Sequence, residues 1–435
     1  MKSRPAVAFV TLGCPKNEVD TDRMQASLGA SFDVVEALED ADVAIVNTCA
    51  FIREATEESI AAVLELAQAW KTERDGRSVV VTGCMPSRYG DELASELPEV
   101  DAFVPVAGER TLREVVARLT GVSAGGGSAA GGVARTASGP TAYLMISDGC
   151  HRRCAFCTIP AIRGPYRSHP LDDILAEARF LVDGGAKELV LIGQDTSAYG
   201  RDLGVDAPNL SDVVRSVARV EGLAWLRLMY VQPDGITPEL LQTMAAEPTV
   251  CRYLDMPLQH ASAAVLHRMA RPGSGEEYLR LIGIIRGFMP DVCLRTTLIA
   301  GFPGETRPDA KRLEDFVRNA RFDYVGVFPY SPEEGTAAAA MPDQVPFGTQ
   351  RARAQRLRDV ADEVGFDKAA AYIDATLEVL VDIADDPEEG PIARHRGQAP
   401  EVDGAVLLDR ALPEGTIARV RVVDALGYDL VGEVL

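Results

Sequence analysis

Ser147-Asp148-Gly149-Cys150-His151-Arg152-Arg153-Cys154-Ala155-Phe156-Cys157 decides how this chain is read: three cysteines spaced Cys-x3-Cys-x2-Cys, entered from the apolar run Tyr143 to Ile146. The run reads as a strand that delivers the chain into a loop. Three thiolates on one short loop can surround a single soft metal centre. A structural zinc site closes its shell with four ligands, often as two C-x2-C pairs, and no partnering C-x2-C or His-x3-His lies nearby. Three ligands therefore suggest an incomplete shell with one position left for a substrate or cofactor, as a catalytic metal centre needs. Zinc and a plain disulfide are the alternatives.

Upstream of this loop a second set of cysteines follows a different logic. Ala6 to Val10 is a short apolar run that ends in Thr11-Leu12-Gly13-Cys14-Pro15-Lys16-Asn17, before a polar, helix-compatible segment. The pattern returns at Asp42 to Cys49, leading into a helical stretch from Ile52 to Trp70, and again at Ser78 to Cys84, before Arg88 to Leu97. Cys14, Cys49 and Cys84 are thus 35 residues apart, each at the end of a buried-looking strand. That separation is about one strand-helix-strand unit. Strands joined in this way lie parallel, so the three thiols should emerge at one carboxyl edge of a sheet, where open α/β sheets place ligands. The bland alternative is three small buried residues. Val100 to Leu119 adds a last strand and helix.

Gly121 to Pro140 is almost wholly Gly, Ala, Ser and Thr, with a run at Gly125-Gly126-Gly127, and reads as a linker. This gives domains at 1–120, 141–370 and 371–435, with a flexible linker at 121–140. From Tyr143 six strands alternate with helices: Tyr143 to Ile146, Glu188 to Ile192, Trp225 to Tyr230, Arg252 to Met256, Val292 to Ile299 and Tyr324 to Phe328. The intervening helices are read at Asp172 to Val182, Leu210 to Val220, Pro238 to Ala246, Ala263 to Met269 and Tyr278 to Phe288. Such a series predicts a partial (β/α)6 barrel with its site at the strand carboxyl ends. Those ends carry Gly193-Gln194-Asp195, Val231-Gln232-Pro233, Pro257-Leu258-Gln259-His260 and Gly301-Phe302-Pro303-Gly304-Glu305, each a weak signal by itself. His260 and His267 read as structural, Cys251 and Cys293 as core residues. After a helical run from Gln350 to Lys368, short alternating segments broken by Gly, Pro and Asp predict a small antiparallel β-barrel.

Composition bounds the partners. The chain has 435 residues, 47% hydrophobic and 25% charged, as in an ordinary globular protein. No apolar run approaches the roughly 20 residues of a membrane helix, and Ala6 to Val10 is shorter than the roughly 7 to 15 residues of a signal-peptide core. A cytoplasmic location is expected, with no membrane partner; thiols stay reduced there, so the eight cysteines serve as ligands or core residues rather than disulfides. Net charge is -21. Nucleic-acid affinity depends on Lys and Arg neutralising phosphates, so nucleic acid is a poor direct substrate and a basic protein a better partner. An acidic surface that only aids solubility is the alternative. Residues 371–435 hold 14 Asp and Glu against 5 Arg and no Lys, the wrong charge for phosphate.

The cysteine spacing, with Phe156 before the third cysteine, resembles the radical S-adenosylmethionine (SAM) enzymes. The resemblance implies that Cys150, Cys154 and Cys157 hold three irons of a 4Fe-4S cluster whose fourth iron binds SAM. One electron then cleaves SAM to a 5′-deoxyadenosyl radical that removes hydrogen from an unactivated carbon. Three features in order cover nearly the whole chain: a cysteine-bearing α/β domain, the radical SAM barrel and a terminal small barrel. Together they resemble the methylthiotransferase family, whose last unit is the TRAM domain, and imply that Cys14, Cys49 and Cys84 bind a second 4Fe-4S cluster. Thr-Leu-Gly-Cys-Pro-Lys-Asn, Val-Asn-Thr-Cys-Ala-Phe-Ile and Ile-Ser-Asp-Gly-Cys resemble the RimO-type branch. That branch methylthiolates the β-carbon of an aspartate in ribosomal small-subunit protein twelve; the alternative is the branch that modifies tRNA adenosine, which typically has Gln where this chain has Pro15. His151 departs from the Asn or Asp common at its position. The implied cofactors are two clusters and SAM, the implied partners a basic ribosomal protein, an electron donor and a sulfur donor. SAM is expected near Gly193–Asp195 and Arg295–Glu305. No catalytic side chain is singled out.

Overall fold

The computed structural model describes residues 4–74, 76–123, 135–136 and 139–435. Most of the expected linker, 124–134 and 137–138, lies outside the described residues. The chain divides into two compact units. The first comprises Met1–Thr136, Asp148–Arg152 and Cys157–Arg167; the second comprises Ala137–Ser147, Arg153–Phe156 and Ser168–Leu435.

The first unit is a five-stranded parallel sheet of β1 (Ala6–Thr11), β2 (Asp33–Val34), β3 (Val43–Thr48), β4 (Ser78–Gly83) and β5 (Ala102–Pro105), in the order β2-β1-β3-β4-β5. β3 is buried along its whole length, as a central strand covered on both faces must be. Side chains alternate between those faces. Val7, Val43, Ile45 and Val80 pack with Met24 and Leu28 of one helix and Leu112 and Val116 of another. Ala8, Ala44, Val46, Val79 and Val81 face Val63, Trp70 and Met85 on the other side. Each fully buried Val, Ile, Leu or Met side chain among these stabilises the fold by about 1.5–3 kcal/mol.

Local chemistry explains where the sequence expectation slips. β2 is two residues long, too short for alternation to show. The helix expected at Ile52 to Trp70 is α-helical over Arg53–Glu65 and continues as a π-turn over Leu66–Trp70. The one expected at Arg88 to Leu97 is two helices, Cys84–Tyr89 and Glu92–Glu96, broken at Gly90 with φ 57°.

In the second unit six parallel strands follow chain order: β6 (Thr141–Met145), β7 (Glu188–Ile192), β8 (Trp225–Leu228), then β9 (Tyr253–Gln259), β10 (Cys293–Ala300), β11 (Tyr324–Pro329). They form two three-stranded sheets. Between them runs a seam held by Val231 N–H to Asp255 O (3.0 Å) and Cys251 N–H to Leu226 O (2.8 Å). The expected strand to Tyr230 stops at Leu228 because Tyr230 takes a positive φ of 59°, costly for a bulky residue. Its N–H is secured by the Asp255 carboxylate at 3.2 Å. A helix absent from the sequence reading, Arg307–Ala320, opens with a capping box between Thr306 and Asp309.

The terminal barrel is closed: β12 (Thr376–Asp386), β13 (Gly390–His395), β14 (Val406–Leu408), β15 (Ile417–Leu426) and β16 (Asp429–Val434) pair as β12-β13-β14-β16-β15. All pairs are antiparallel except β14 with β16. It docks on the amino ends of the larger barrel's strands. Glu188, the first residue of β7, meets Arg227 (2.6 Å) and Arg394 (2.8 Å), and Arg394 also holds Asp382 at 2.7 Å. Burial alone would raise the Glu188 carboxyl, but the two guanidinium groups outweigh it and hold it below its ordinary range. Beside them Tyr253 donates to Asp403 (2.7 Å), and the Cys293 thiol donates to Gly397 O (3.0 Å). Among the described residues, no helix is long and apolar enough to cross a membrane.

Candidate cluster sites at the strand ends

Cys14, Cys49 and Cys84 leave the carboxyl ends of β1, β3 and β4, three neighbouring parallel strands. Gly13 (φ 103°) and Gly83 (φ 92°) make the turns. A Cβ on Gly13 would stand 2.6 Å from Cys49 Cβ, and one on Gly83 would run into the Asn47 side chain, so only glycine allows these approaches. The sequence reading did not single out the side chain at the centre. Asn17, fully buried, donates to Leu12 O (2.9 Å) and Thr48 O (3.0 Å), tying β1 to β3. Its Oδ1 accepts from the Cys14 thiol (3.6 Å) and the Cys84 thiol (3.9 Å). The Ser59 hydroxyl accepts from Cys49 N–H (3.1 Å) and donates to its carbonyl (2.8 Å). Asn17 is the third residue after Cys14, and that spacing into a helix was its one legible signal.

Arg163, six residues beyond Cys157, belongs to this same unit. Its Nη2 donates to Asp20 (2.6 Å) and to the Asn17 Oδ1 that receives the thiols (3.3 Å), and its Nη1 lies 3.4 Å from Asp148. Burial pushes the Cys84 thiol up to about 12, partly opposed by Arg163 and reinforced by Cys14 and Cys49. Burial likewise raises the Cys49 thiol. Without a cation these thiols hold their protons; a bound metal centre would displace them. Among the described residues, no three His, Cys, Asp or Glu side chains are gathered tightly enough for a single metal ion. A cluster bound through three different irons takes its thiolates further apart than one ion does. The donor set, three thiols at one sheet edge with Asn17 bonded to two of them, suits that group.

In the second set, Cys150 and Cys157 fall in the first compact unit and Cys154 in the second. Cys150 N–H donates to Gly164 O (3.2 Å), and Arg152 N–H points at Cys150 Sγ (3.4 Å). Gly149 (φ 69°) is required here, because a Cβ would strike the Gly164 and Pro165 carbonyls. Around Cys154, Ala155 is fixed on both sides by Met269 O (3.0 Å) and Ala338 N–H (2.8 Å). Phe156 meets Phe302 edge-on at 6.4 Å. Arg271, which the sequence reading also passed over, donates to Cys154 Sγ at 3.7 Å.

Other strand-end signals resolve differently. Arg295 does not face the rim: its guanidinium is held by Asp255 (3.1 Å) and lies 3.2 Å from Asp403, inside the barrel towards its amino end. In the Gly301–Glu305 turn the Glu305 carboxylate accepts from Gly301 N–H (2.6 Å) and from Arg353 (2.9 Å), so it is already engaged within the protein. His260 is buried, with Nδ1 accepting from Ser262 N–H (2.9 Å) and Nε2 lying 3.4 Å from Glu305. Cys251 and Cys293 are buried. Gly193 packs against Ser147 Oγ, and Asp195 accepts from the Ser197 hydroxyl at 2.5 Å.

Three family models match: Uncharacterized protein family UPF0004 over residues 6–105, the Radical SAM superfamily over 144–317 and the TRAM domain over 373–435. A protein of Geobacter sulfurreducens described as ribosomal protein uS12 methylthiotransferase RimO is 43% identical over 447 residues, spanning 100% of this chain and 99% of its own. Proteins with the same description from Geotalea uraniireducens (43%; 99% and 98% covered) and Moorella thermoacetica (43%; 98% and 99%) are similar to the same degree. Among solved structures, the radical SAM methyltransferase TsrM of Kitasatospora setae matches with a TM-score of 0.58 at 16% identity, covering 76% of this chain and 74% of its own. The cobalamin-dependent SAM radical enzyme OxsB matches with a TM-score of 0.51 at 13% identity, covering 82% and 56%. At these identities the structural likeness shows the fold alone.

Proposed function

Since the chain belongs to the uS12 methylthiotransferase family of radical SAM enzymes, we propose that it places a methylthio group on the β-carbon of one aspartate of that ribosomal protein. It is an enzyme that transfers a methylthio group, and its family implies SAM and 4Fe-4S chemistry. The finer reading is two clusters, one on Cys14, Cys49 and Cys84 and the other on Cys150, Cys154 and Cys157. The observation that supports it is the gathering of three strand-end cysteines at one sheet edge, with Asn17 accepting from the Cys14 and Cys84 thiols. Domains at 1–120, 141–370 and 371–435 with a linker at 121–140, and a cytoplasmic setting, complete the proposal.

A radical SAM cluster supplies one-electron cleavage of SAM and hence the removal of hydrogen from a carbon that offers no acid or base a foothold. The protein's own residues do the rest. Asn17 holds the Cys14 and Cys84 thiols in place, and Arg163, itself held by Asp20, sets a positive charge beside them. Gly13 keeps backbone close to the Cys49 sulfur and Gly83 lets its strand end close on Asn47 and Thr48, while Ala155 and Phe156 fix the path of the second loop. Reach between donor and acceptor carbon is then a matter of positioning.

The acidic terminal segment, at 14 carboxylates against 5 arginines, supports a basic protein substrate by charge complementarity. Mass spectrometry of the small-subunit protein, with and without co-expression of this chain, tests the reading. One added methylthio group on a single aspartate is expected. An unmodified protein alongside methylthiolated tRNA adenosine would establish the other branch instead.

A further inference from the structure

Among the described residues five arginines are buried: Arg77, Arg135, Arg227, Arg271 and Arg394. Four have a carboxylate within 3.2 Å, supplied by Glu73, Asp22 and, for the last pair, Glu188. Arg271 has none. It follows Ala270, at φ 54°, just past the Met269 cap of the helix Ala263–Arg268. There Nη2 donates to Gln232 Oε1 and to Pro257 O, both at 2.6 Å, and Nη1 donates to Cys154 Sγ at 3.7 Å.

The two oxygen acceptors are neutral, so they fix the fork's direction without cancelling its charge. A cation buried without a counter-ion costs several kcal/mol. Arginine cannot escape that cost by losing its proton. The one group touching it that can become an anion is the Cys154 sulfur. Three thiolates on an iron-sulfur cube leave the assembly net negative, and one added electron makes it more so. Hydrogen bonds to ligand sulfurs and nearby charge set the potential of such centres.

We infer that Arg271 is the built-in counter-cation of the cluster ligated by Cys150, Cys154 and Cys157, and that its bond to Cys154 stabilises the reduced state. This rests on the ligand assignment proposed above. Reduction takes one electron from an external one-electron donor, makes and breaks no bond, and leaves the guanidinium protonated. Arg271 is a positioning and charge-setting residue; it takes no part in the bonds that change.

The test uses the full chain carrying Cys14→Ala, Cys49→Ala and Cys84→Ala, so that the Cys150 set alone is loaded anaerobically. Iron content and the midpoint potential, followed by electron paramagnetic resonance during dithionite titration, are compared for Arg271, Arg271→Lys, Arg271→Gln and Arg271→Met. Loss of the charge in the Gln and Met variants should cost the reduced state at least tenfold, a fall of about 59 mV for one electron. Lys should recover most of it. Loss of the cluster in Gln and Met with retention in Lys also supports the inference. An unchanged midpoint in Met, or Lys no better than Met in potential or iron content, overturns it. If the chain with Arg271 intact binds no cluster at all, the ligand assignment itself falls, and the inference with it.

Discussion

Replacing Glu188 by Gln removes one negative charge and almost no volume from the floor of the larger barrel. Glu188 and Arg227 side chains are both fully buried, 2.6 Å apart, and Arg394 reaches the same carboxylate at 2.8 Å. After the change Arg394 keeps Asp382 at 2.7 Å. Arg227 can still donate to the neutral amide oxygen, to the Arg396 carbonyl (2.9 Å) and over the Tyr253 ring, 4.8 Å from its guanidinium carbon, but among the described residues it loses its carboxylate. Orphaning one member of a buried pair costs about 3–5 kcal/mol. With a denaturant slope of roughly 3 kcal/mol per molar urea, the midpoint falls by on the order of 1 M. The chain has two tryptophans. In a Trp70→Phe background the fluorescence of Trp225, buried at the start of β8, reports this unit's unfolding. Adding Arg227→Met removes the stranded charge, so the double variant should regain stability over Glu188→Gln alone. A Glu188→Gln protein that unfolds within about 1 kcal/mol of the parent would refute the claim that this network clamps the two barrels together.

Further outcomes follow from other sites. Asn17→Ala should lower iron retention of the first set by about 10- to 100-fold, measured with the second set removed by Cys150→Ala, Cys154→Ala and Cys157→Ala. Gly83→Ala, at φ 92° against the Asn47 side chain, should destabilise the first unit by about 1–3 kcal/mol, read from Trp70 fluorescence in a Trp225→Phe chain. His395 is buried with Nδ1 accepting from Gly397 N–H at 3.0 Å, and burial first, then Arg227 and Arg394, push it down to about 3. The unfolded chain therefore binds the extra proton between pH 6.5 and 3, and stability present above 6.5 falls by up to about 1.4 kcal/mol per pH unit on acidification through that window. His395→Gln should flatten this slope in urea titrations at stepped pH; an unaltered slope would count against the assignment.

Much of this molecule could be read from local pattern. Cys14, Cys49 and Cys84 announce themselves because each ends an apolar run at the same interval, and parallel connection then forces them to one edge of the sheet. The six barrel strands are visible for the same reason: buried strands are continuous apolar runs. Neither Arg163 nor Arg271 was legible, since an arginine's partner depends on which loops the fold brings to it, and both stand in short segments without periodicity. Arg295 misled in the opposite direction. It sits in a strand that ends near the expected SAM region, yet its fork is occupied by Asp255 and Asp403, the latter about a hundred residues downstream in the terminal barrel. The helix Arg307–Ala320 carried a readable signal in Thr306 and Asp309, the capping pair that opens it.

Iron and acid-labile sulfide counted per chain, after anaerobic reconstitution of three proteins, address the central claim most directly. The parent should hold two 4Fe-4S clusters; the chain lacking Cys14, Cys49 and Cys84 should hold one, and the chain lacking Cys150, Cys154 and Cys157 the other. A parent with a single cluster, or either triple variant with as much iron as the parent, would contradict the account.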